Sequence, residues 1–331
     1  MLILAIETSC DETSVALYGD DLIGQIIRSQ IKLHQPYGGV VPEIASRDHI
    51  HQLLPLIDQL LLQNDRSLSD ITHIAYTSGP GLAGALLAGA SVAQGLSKAI
   101  KCPLIPVHHI EGHVLSPLVG NTNVTYPYLA VLFSGGHSLL VWVASFREYH
   151  VLGQSIDDAM GECLDKMAIM MGLPYPGGPE IEKAAKLGDK YRFHLPQPMK
   201  ANDHCQMSFS GLKTAVKNIW MTLPQTEQDR NDLAASLQHV CSAVMLNKVE
   251  VACAQFPVQQ VVLVGGVSAN QYLRQSLESF CAKNHISVGY PERSMCTDNA
   301  AMIAYTAYLM VQHNIPVLTQ KVRPRWSLSD L

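Results

Sequence analysis

Hydrophobic and polar positions follow the same order twice along this chain. In the first half, apolar residues alternate on both sides of a polar turn in LILAIETSCDETSVALYG, which predicts a β-hairpin, and DLIGQIIRSQ predicts a third strand. Apolar positions then recur at helical spacing between Pro42 and Gln63. A strand in ITHIAYTS, a loop at Gly79–Pro80–Gly81, a helix ending near Ala99 and a short strand in LIPV follow.

The second half repeats this plan. With Leu4 placed over Leu129, LAIETSCDETSVAL aligns without gaps on LAVLFSGGHSLLVW. A third strand (YHVLGQS), a helix over about residues 156–172 and the strand QVVLVGG leading into another helix complete the second copy. The duplication predicts a two-lobed α/β protein with a ligand cleft between the lobes. Backbone amides and helix N-termini at such a cleft suit phosphate.

Composition narrows the class of protein. The chain has 331 residues and a net charge of −5, and 47% of its residues are hydrophobic. This excludes a disordered chain and a strongly basic nucleic-acid binder. The eight cysteines include no Cys-x-x-Cys pair, and the apolar N-terminal run ends at Glu7, too early for a signal peptide or a membrane span. We therefore expect a cytoplasmic protein.

Two histidines suggest a metal site. The spacing of His109 and His113 places both imidazoles on one helix face, about 5–6 Å apart at Cβ, although two ordinary polar helix residues would show the same spacing. Asp298 precedes an Ala-rich helix, so it is either the N-cap of that helix or a third ligand. Two histidines and a carboxylate suit iron(II) or zinc and leave positions open for a substrate oxygen.

Two familiar motifs match only in part. The zinc-protease motif H-E-x-x-H needs a glutamate directly after its first histidine, where this chain has Ile110, and Glu111 is one position too late. The segment 79–84 matches G-x-G-x-x-G, but no acid ends the following strand, so a close-packed turn is favoured over an NAD site.

Three further segments each allow a structural and a functional interpretation. The turn Ser134–Gly135–Gly136 either needs glycine for positive φ or presents amides to a phosphate or acyl group. The segment YPGGP (175–179) is either a plain loop or a place where the backbone approaches a ligand closely. Asp165, on the preceding helix, either is solvated or faces a polar cleft. Near the next helix, Ser268 is a plausible N-cap, and Asn270 could bind a base or ribose.

Ten segments in chain order together resemble one family, the bacterial tRNA adenosine threonylcarbamoyltransferases (TsaD), formerly described as glycoproteases. They are HQPYGGVVPEIASRDHI (34–50), GPGLAGALLAGASVA (79–93), HHIEGH (108–113), FSGGHS (133–138), GECLDKMA (161–168), YPGGP (175–179), FSGLKT (209–214), GGVSANQ (265–271), CTDNAAMIAY (296–305) and RPRW (323–326).

The resemblance implies an actin/Hsp70/sugar-kinase (ASKHA) fold with two ribonuclease H-like lobes, lobe I over 1–108 and 299–331 and lobe II over 109–298. It implies transfer of threonylcarbamoyl from threonylcarbamoyl-AMP to the exocyclic amine of the adenosine 3′ of the anticodon, in tRNAs that read codons beginning with A, with release of AMP. One divalent metal per subunit, usually iron(II) with zinc as the alternative, would be bound by His109, His113 and Asp298. The adenylate would be contacted by Leu132, Phe133, Ser134, Gly135, Gly136, Asp165, Gly178, Glu182 and Asn270.

Departures from the family pattern and the partners complete these expectations. Leu132 stands where archaeal and eukaryotic relatives have a metal-binding tyrosine, and Glu182 stands where aspartate is frequent. The resemblance implies an inactive paralogue, TsaB, as heterodimer partner and a separate ATPase, TsaE. A basic and aromatic cluster that could touch RNA backbone consists of Lys321, Arg323, Arg325 and Trp326.

The general base and the rival functions stay open at the level of sequence. Asp11 and Glu12, on the first hairpin turn, are candidates for the base, although acidic turn residues are often simply solvated. A metallopeptidase is disfavoured because Ile110 stands where its base would be. An ATP-binding protein of the chaperone or kinase type, with the same fold, is the other alternative.

Overall fold

A computed structural model describes residues 1–120, 123–317 and 321–331 of the chain. The chain divides into two compact units, one formed by Met1–Asn123 with Pro291–Leu331 and the other by Val124–Tyr290. The lobes expected from sequence differ from these units in two segments, 109–123 and 291–298, which belong to the first unit. The helix at 109–115 packs against the helix at 300–312, which keeps both segments with that unit. His109, His113 and Asp298 therefore all belong to the first unit.

In the described part of the chain, ten strands form two five-stranded sheets. The strands are β1 (Ile3–Glu7), β2 (Glu12–Tyr18), β3 (Leu22–Ser29), β4 (His73–Gly79), β5 (Leu104–His108), β6 (Tyr128–Phe133), β7 (Ser138–Ser145), β8 (Glu148–Gln154), β9 (Gln260–Val264) and β10 (Ser287–Gly289). The first sheet has the order β3-β2-β1-β4-β5 and the second the order β8-β7-β6-β9-β10. The two orders are the same, which confirms the duplication predicted from the sequence.

Each sheet is built around a central strand that pairs with an antiparallel and a parallel neighbour. Ile6 of β1 pairs with Val15 of the antiparallel β2, and β1 is also parallel to β4. In the second sheet β6 pairs with β7 in the same way and is parallel to β9. Strands β1 and β6 are buried along their whole length, so each is a continuous apolar run apart from Glu7, and the alternation expected from the sequence is absent from these two strands.

The described residues also form ten α-helices. They are α1 (Ile31–His34), α2 (Pro42–Gln63), α3 (Ala83–Ile100), α4 (His109–Leu115), α5 (Met160–Met170), α6 (Gly177–Ala185), α7 (Ser210–Thr222), α8 (Glu227–Gln255), α9 (Gln271–Lys283) and α10 (Ala300–Gln312). In the first unit α2 and α3 pack together, while α10 contacts β1 and β2. Among the described residues, none of the helices has the length and apolar character needed to cross a bilayer.

Helix α5 begins at Met160, later than the residue 156 expected from sequence. The preceding Asp157 is used elsewhere, because its carboxylate accepts hydrogen bonds from the amides of Phe209 (2.8 Å) and Ser210 (3.3 Å) at the start of α7. Asp157 therefore links the segment before α5 to the start of α7.

The loop before α3 is the close-packed turn predicted from the partial dinucleotide motif. A Cβ atom at Gly79 would lie 1.9 Å from the carbonyl oxygen of Arg323, and one at Gly81 would lie 2.6 Å from that of Ser9. Both glycines also have positive φ, +150° and +159°. These glycines make room for other segments of the same unit, so the loop needs no nucleotide to explain it.

Candidate metal centre and substrate-binding residues

The two histidines lie on successive turns of α4, which begins directly after β5. Their rings are 4.7 Å apart between centroids and nearly perpendicular, at 85°. Asp298, just before α10, places its Oδ1 2.9 Å from His113 Nε2 and 3.6 Å from His109 Nε2. One ligand atom from each residue lies within 4.8 Å of the others. The three residues expected to bind metal are therefore brought together.

The N-cap interpretation of Asp298 is wrong. Helix α10 is capped by the next residue, Asn299, whose side-chain oxygen accepts a hydrogen bond from the Met302 amide at 2.9 Å. Because Asn299 satisfies the helix end, the Asp298 carboxylate is available to the two histidines.

A buried acid orients His109. Glu7, at the end of β1 and fully buried, places Oε2 3.1 Å from His109 Nδ1, and Ser9 Oγ lies 3.2 Å from the same nitrogen. The amide of Ser9 and the hydroxyl of Thr77 also donate to the Glu7 carboxylate. When Nδ1–H donates to Glu7, Nε2 is left as the basic nitrogen that points toward Asp298. This is the carboxylate–histidine pairing that supports metal ligands in other proteins.

Sequence reasoning assigned Glu7 no role. The signal that would have found it is an acid that ends an otherwise apolar, buried strand. Its partner His109 is 102 positions away, so the pairing itself is a consequence of the fold.

The charge balance of this cluster favours a positive His109 when metal is absent. Burial lowers the pKa of His109, but the nearby carboxylates of Glu7 and Asp298 outweigh that effect and raise the pKa to about 9. The same pairing holds the pKa of Glu7 below its ordinary value in spite of burial. A divalent cation at Nε2 would replace the proton and satisfy the same carboxylates.

The donor set fits such a cation. Two atoms bound to one ion at about 2.1 Å are at most about 4.2 Å apart, and both Asp298–histidine distances already meet that limit. The set is largely buried, since His109 is 4% and His113 0% exposed. Two imidazoles and one carboxylate match iron(II) and zinc.

Of the candidate base residues, Asp11 lies on the turn between β1 and β2, and Glu12 is the first residue of β2. Asp11 is buried and Glu12 half-buried. Burial, followed by the charges of Asp11 and Asp298, raises the pKa of Glu12 well above its ordinary range. The turn is held by His49 of α2, whose Nε2–H donates to the Cys10 carbonyl at 2.9 Å.

That hydrogen bond gives residues 34–50 a structural role. His49 also lies 2.8 Å from Thr13 Oγ1 through Nδ1, and its imidazole is fully buried. Burial lowers the pKa of His49, so the neutral ring is the form the fold favours. The segment therefore supports the candidate base loop from within the first unit.

In the second unit, Leu132 and Phe133 end β6 and the glycines follow in the turn. The Ser134 amide donates to the His137 carbonyl at 2.8 Å, which closes the hairpin. Gly135 and Gly136 are exposed, and neither has positive φ. The expectation that this turn needs glycine for positive φ is therefore wrong. Instead, glycine leaves open space around the turn, because no atom lies within 4 Å of a Cβ built at either position.

Asp165 and Gly178 come together at the start of α6. The Asp165 carboxylate accepts hydrogen bonds from the amides of Gly177 (2.7 Å) and Gly178 (3.3 Å). Farther along α6, the Glu182 carboxylate accepts from the Gln271 amide at 3.2 Å. The first turn of α9 therefore lies beside α6.

Asn270 is the N-cap of α9, so the expectation that Ser268 has this role is wrong. The Asn270 Oδ1 accepts a hydrogen bond from the Leu273 amide at 3.1 Å, and the Asn270 Nδ2 donates one to Gln238 Oε1 at 2.9 Å. A cleft of about 180 Å³ adjoins these residues, and its lining includes Glu182, Lys186, Gln238, Gln271 and Tyr272. Of the residues expected to contact an adenylate, Glu182 lines this cleft, and Asn270 contacts its lining through Gln238.

Comparison with solved structures identifies the class of fold. HypF of T. kodakarensis matches 97% of this chain and 49% of its own, with a TM-score of 0.63 and 11% identity. Component A of the (R)-2-hydroxyglutaryl-CoA dehydratase of Acidaminococcus fermentans matches 94% of this chain and 99% of its own, with a TM-score of 0.55 and 14% identity. These likenesses confirm the expected two-lobed ASKHA fold.

Comparison of sequences then identifies the family. The TsaD family profile, described as tRNA N6-adenosine threonylcarbamoyltransferase, matches residues 21–305. Curated relatives of that name include one from Chromobacterium violaceum, 44% identical over 100% of this chain and 99% of its own, and one from Polaromonas sp., 47% identical over 99% and 98%. The chain belongs to the TsaD family and is a transferase that modifies adenosine in tRNA.

Proposed function

We propose that this enzyme transfers threonylcarbamoyl from threonylcarbamoyl-AMP to the exocyclic amine of the adenosine 3′ of the anticodon, in tRNAs that read codons beginning with A. A carbon–nitrogen bond forms at the carbamoyl carbon, the bond from that carbon to the phosphate oxygen breaks, the amine loses a proton and AMP leaves. The observation that carries the proposal is the His109–His113–Asp298 cluster, found in a chain of this family.

The residues proposed to hold one divalent metal per subunit are His109, His113 and Asp298, with Glu7 orienting the first of them. Iron(II) is the proposed metal and zinc the alternative, because the donor set suits both. When bound, the cation supplies Lewis-acid stabilisation of charge on the carbonyl or phosphate oxygens.

Residues of the chain itself would handle the proton and the adenylate. The raised pKa of Glu12 makes its carboxylate a stronger base than an ordinary one, and Asp11 is the other candidate. The adenylate is proposed to contact the amides of the β6–β7 turn, whose glycines leave it unobstructed. Its other proposed contacts are Leu132, Phe133, Asp165, Gly178, Glu182 and Asn270.

The partners are proposed on chemical grounds. A net charge of −5 provides no general attraction for tRNA, so we propose that TsaB, as heterodimer partner, and the ATPase TsaE assist in the cytoplasm. Lys321 and Arg325 are exposed and could contact RNA backbone, whereas Arg323 lies over the Trp326 ring at 4.5 Å.

The metallopeptidase alternative gains no support from the site. Glu111 lies two positions from each histidine along α4, and residues two apart on a helix do not face each other. The carboxylate beside the histidines is that of Asp298.

The test is a transfer reaction with synthetic threonylcarbamoyl-AMP and unmodified tRNA, run with and without TsaB and TsaE. We expect modified adenosine and AMP to form in a one-to-one ratio. A transcript with guanosine in place of the target adenosine is the control and should give neither product. AMP release without modified tRNA would contradict acyl transfer to adenosine.

A further inference from the structure

His108 joins the candidate metal helix to the C-terminal segment. It is the last residue of β5 and the N-cap of α4, and its imidazole is fully buried. Nδ1 accepts hydrogen bonds from the amides of Ile110 (3.1 Å) and Glu111 (3.3 Å). On its other side, Nε2 lies 3.2 Å from the carbonyl oxygen of Trp326, 218 positions away.

These contacts define one tautomer of His108. A carbonyl oxygen can only accept, so Nε2 must carry the proton that it donates to Trp326. In the neutral ring Nδ1 then has a lone pair, which it needs in order to accept from the two amides of α4. The Trp326 carbonyl thereby selects the form of His108 that can cap this helix.

The segment that supplies the carbonyl is fixed to the first sheet. The Arg323 amide donates to the Ser78 carbonyl at 2.7 Å, and the Gly81 amide donates to the Pro324 carbonyl at 3.2 Å. The Trp326 ring lies 4.6 Å from the His108 ring between centroids. Residues 323–326 therefore rest on the end of β4 and against the start of α4.

We propose that residues 323–326 are a positioning element of the metal centre, acting through His108 on the helix that carries His109 and His113. The helix has only seven residues, and its first residue is a candidate ligand, so a change in its first turn moves that ligand directly. The inference rests on the proposed metal centre. Loss of an outer partner of a metal ligand typically lowers metal affinity roughly 10- to 100-fold.

The test measures binding of Co²⁺ and Zn²⁺ to the full-length metal-free protein. Co²⁺ is followed by its visible absorption spectrum and Zn²⁺ by competition with a chelator. The perturbing variants are a chain ending at Arg325, which lacks the Trp326 carbonyl, and His108→Ala. We expect each to bind both ions roughly 10- to 100-fold more weakly and to give an altered Co²⁺ spectrum.

The rescue variant is His108→Asn. Asparagine caps a helix without a carbonyl partner, so this variant should bind metal within a few-fold of wild type, and the truncation should cause no further loss in its background. Thr226→Ala is the matched control, because Thr226 caps α8 in the other unit through the Asp229 amide. It should leave metal affinity unchanged.

The outcomes distinguish failure of the positioning role from failure of the proposed metal centre. Wild-type affinity in the truncated chain, or the same loss in the wild-type and His108→Asn backgrounds, overturns the positioning role. Failure of the intact wild-type protein to bind either ion would instead contradict the proposed metal centre. Thermal unfolding of each variant identifies a chain that has failed to fold. If the truncated chain fails to fold, the full-length His108→Ala and His108→Asn proteins decide the question, and equal metal affinity in these two variants overturns the positioning role.

Discussion

Metal binding by this protein should release a proton from His109, and Glu7 should be the cause. The carboxylates of Glu7 and Asp298 raise the pKa of His109 to about 9 against the effect of burial. At pH 7.5 a group with that pKa is about 97% protonated, whereas one with the ordinary pKa of about 6.5 is about 9% protonated. Since a metal ligand must be deprotonated, binding has to displace this proton.

The perturbation is Glu7→Gln, which keeps the size of the side chain and removes its charge. In wild type we expect about one proton to be released from His109 per Zn²⁺ at pH 7.5, and an apparent affinity that falls about tenfold per unit as pH drops below 9. In the variant the pKa of His109 should fall toward its ordinary value, so the release should drop to well below half a proton, roughly a tenth at the limit.

The assay is calorimetric titration with Zn²⁺ in buffers of different ionisation enthalpy, which counts the protons released. Asp70→Asn is a suitable control, because Asp70 is an exposed acid that hydrogen-bonds to Ser67 in the same unit. Equal proton release by wild type and Glu7→Gln would refute the argument, since it would show that Glu7 does not set the charge of His109.

Three further outcomes follow from the same structure. Asp298→Asn should lose metal while α10 stays capped, whereas Asn299→Ala should lose about 1 kcal/mol of stability and keep its metal. Elemental analysis measures the metal and thermal unfolding measures the stability. The reverse pattern would contradict the assignment of Asn299 as the cap and Asp298 as a ligand. Asp165→Ala should weaken AMP binding roughly 5- to 150-fold without changing metal content, and calorimetry showing wild-type affinity would remove Asp165 from the site. Burial lowers the pKa of His49 in the folded protein. As the pH drops below about 6.5, the imidazole is therefore protonated in the unfolded chain before it is protonated in the folded one, and stability should fall. Unfolding measured from pH 7.5 to 5.5 should show a smaller fall in His49→Gln, and an equal fall would exclude His49 as the source.

Local patterns were sufficient for the two hairpins and for α2. The apolar segments on both sides of each hairpin turn and the helical spacing over Pro42–Gln63 are determined by neighbours close in sequence, and the structure has those elements where the pattern predicts them. The repeated strand order then follows from one duplicated plan.

Choices between equivalent neighbours could not be predicted in the same way. Asp298 and Asn299 are both good N-cap residues, and only the fold shows that Asn299 caps α10 while Asp298 meets the histidines. The same holds for Ser268 and Asn270 at α9. At α10 the residue that does not cap, Asp298, is held by His113, 185 positions away in sequence.

The contacts proposed to orient the candidate metal centre are long-range. Glu7 reaches His109 across 102 positions, and Trp326 reaches His108 across 218. The spacing of four between His109 and His113 is a local signal, and it predicted that the two imidazoles lie together on one helix face. No periodicity records the partners that orient them, because those partners lie on other strands or in the C-terminal segment.

The most direct test of the account is the nucleoside content of tRNA after a single reaction. Metal-loaded wild type, with TsaB, TsaE, threonylcarbamoyl-AMP and unmodified tRNA, should yield threonylcarbamoyladenosine in digests analysed by mass spectrometry. The His109→Ala, His113→Ala double variant, folded but metal-free, should yield none above background. Equal product from the double variant would contradict the central claim that this His–His–Asp centre serves the transfer.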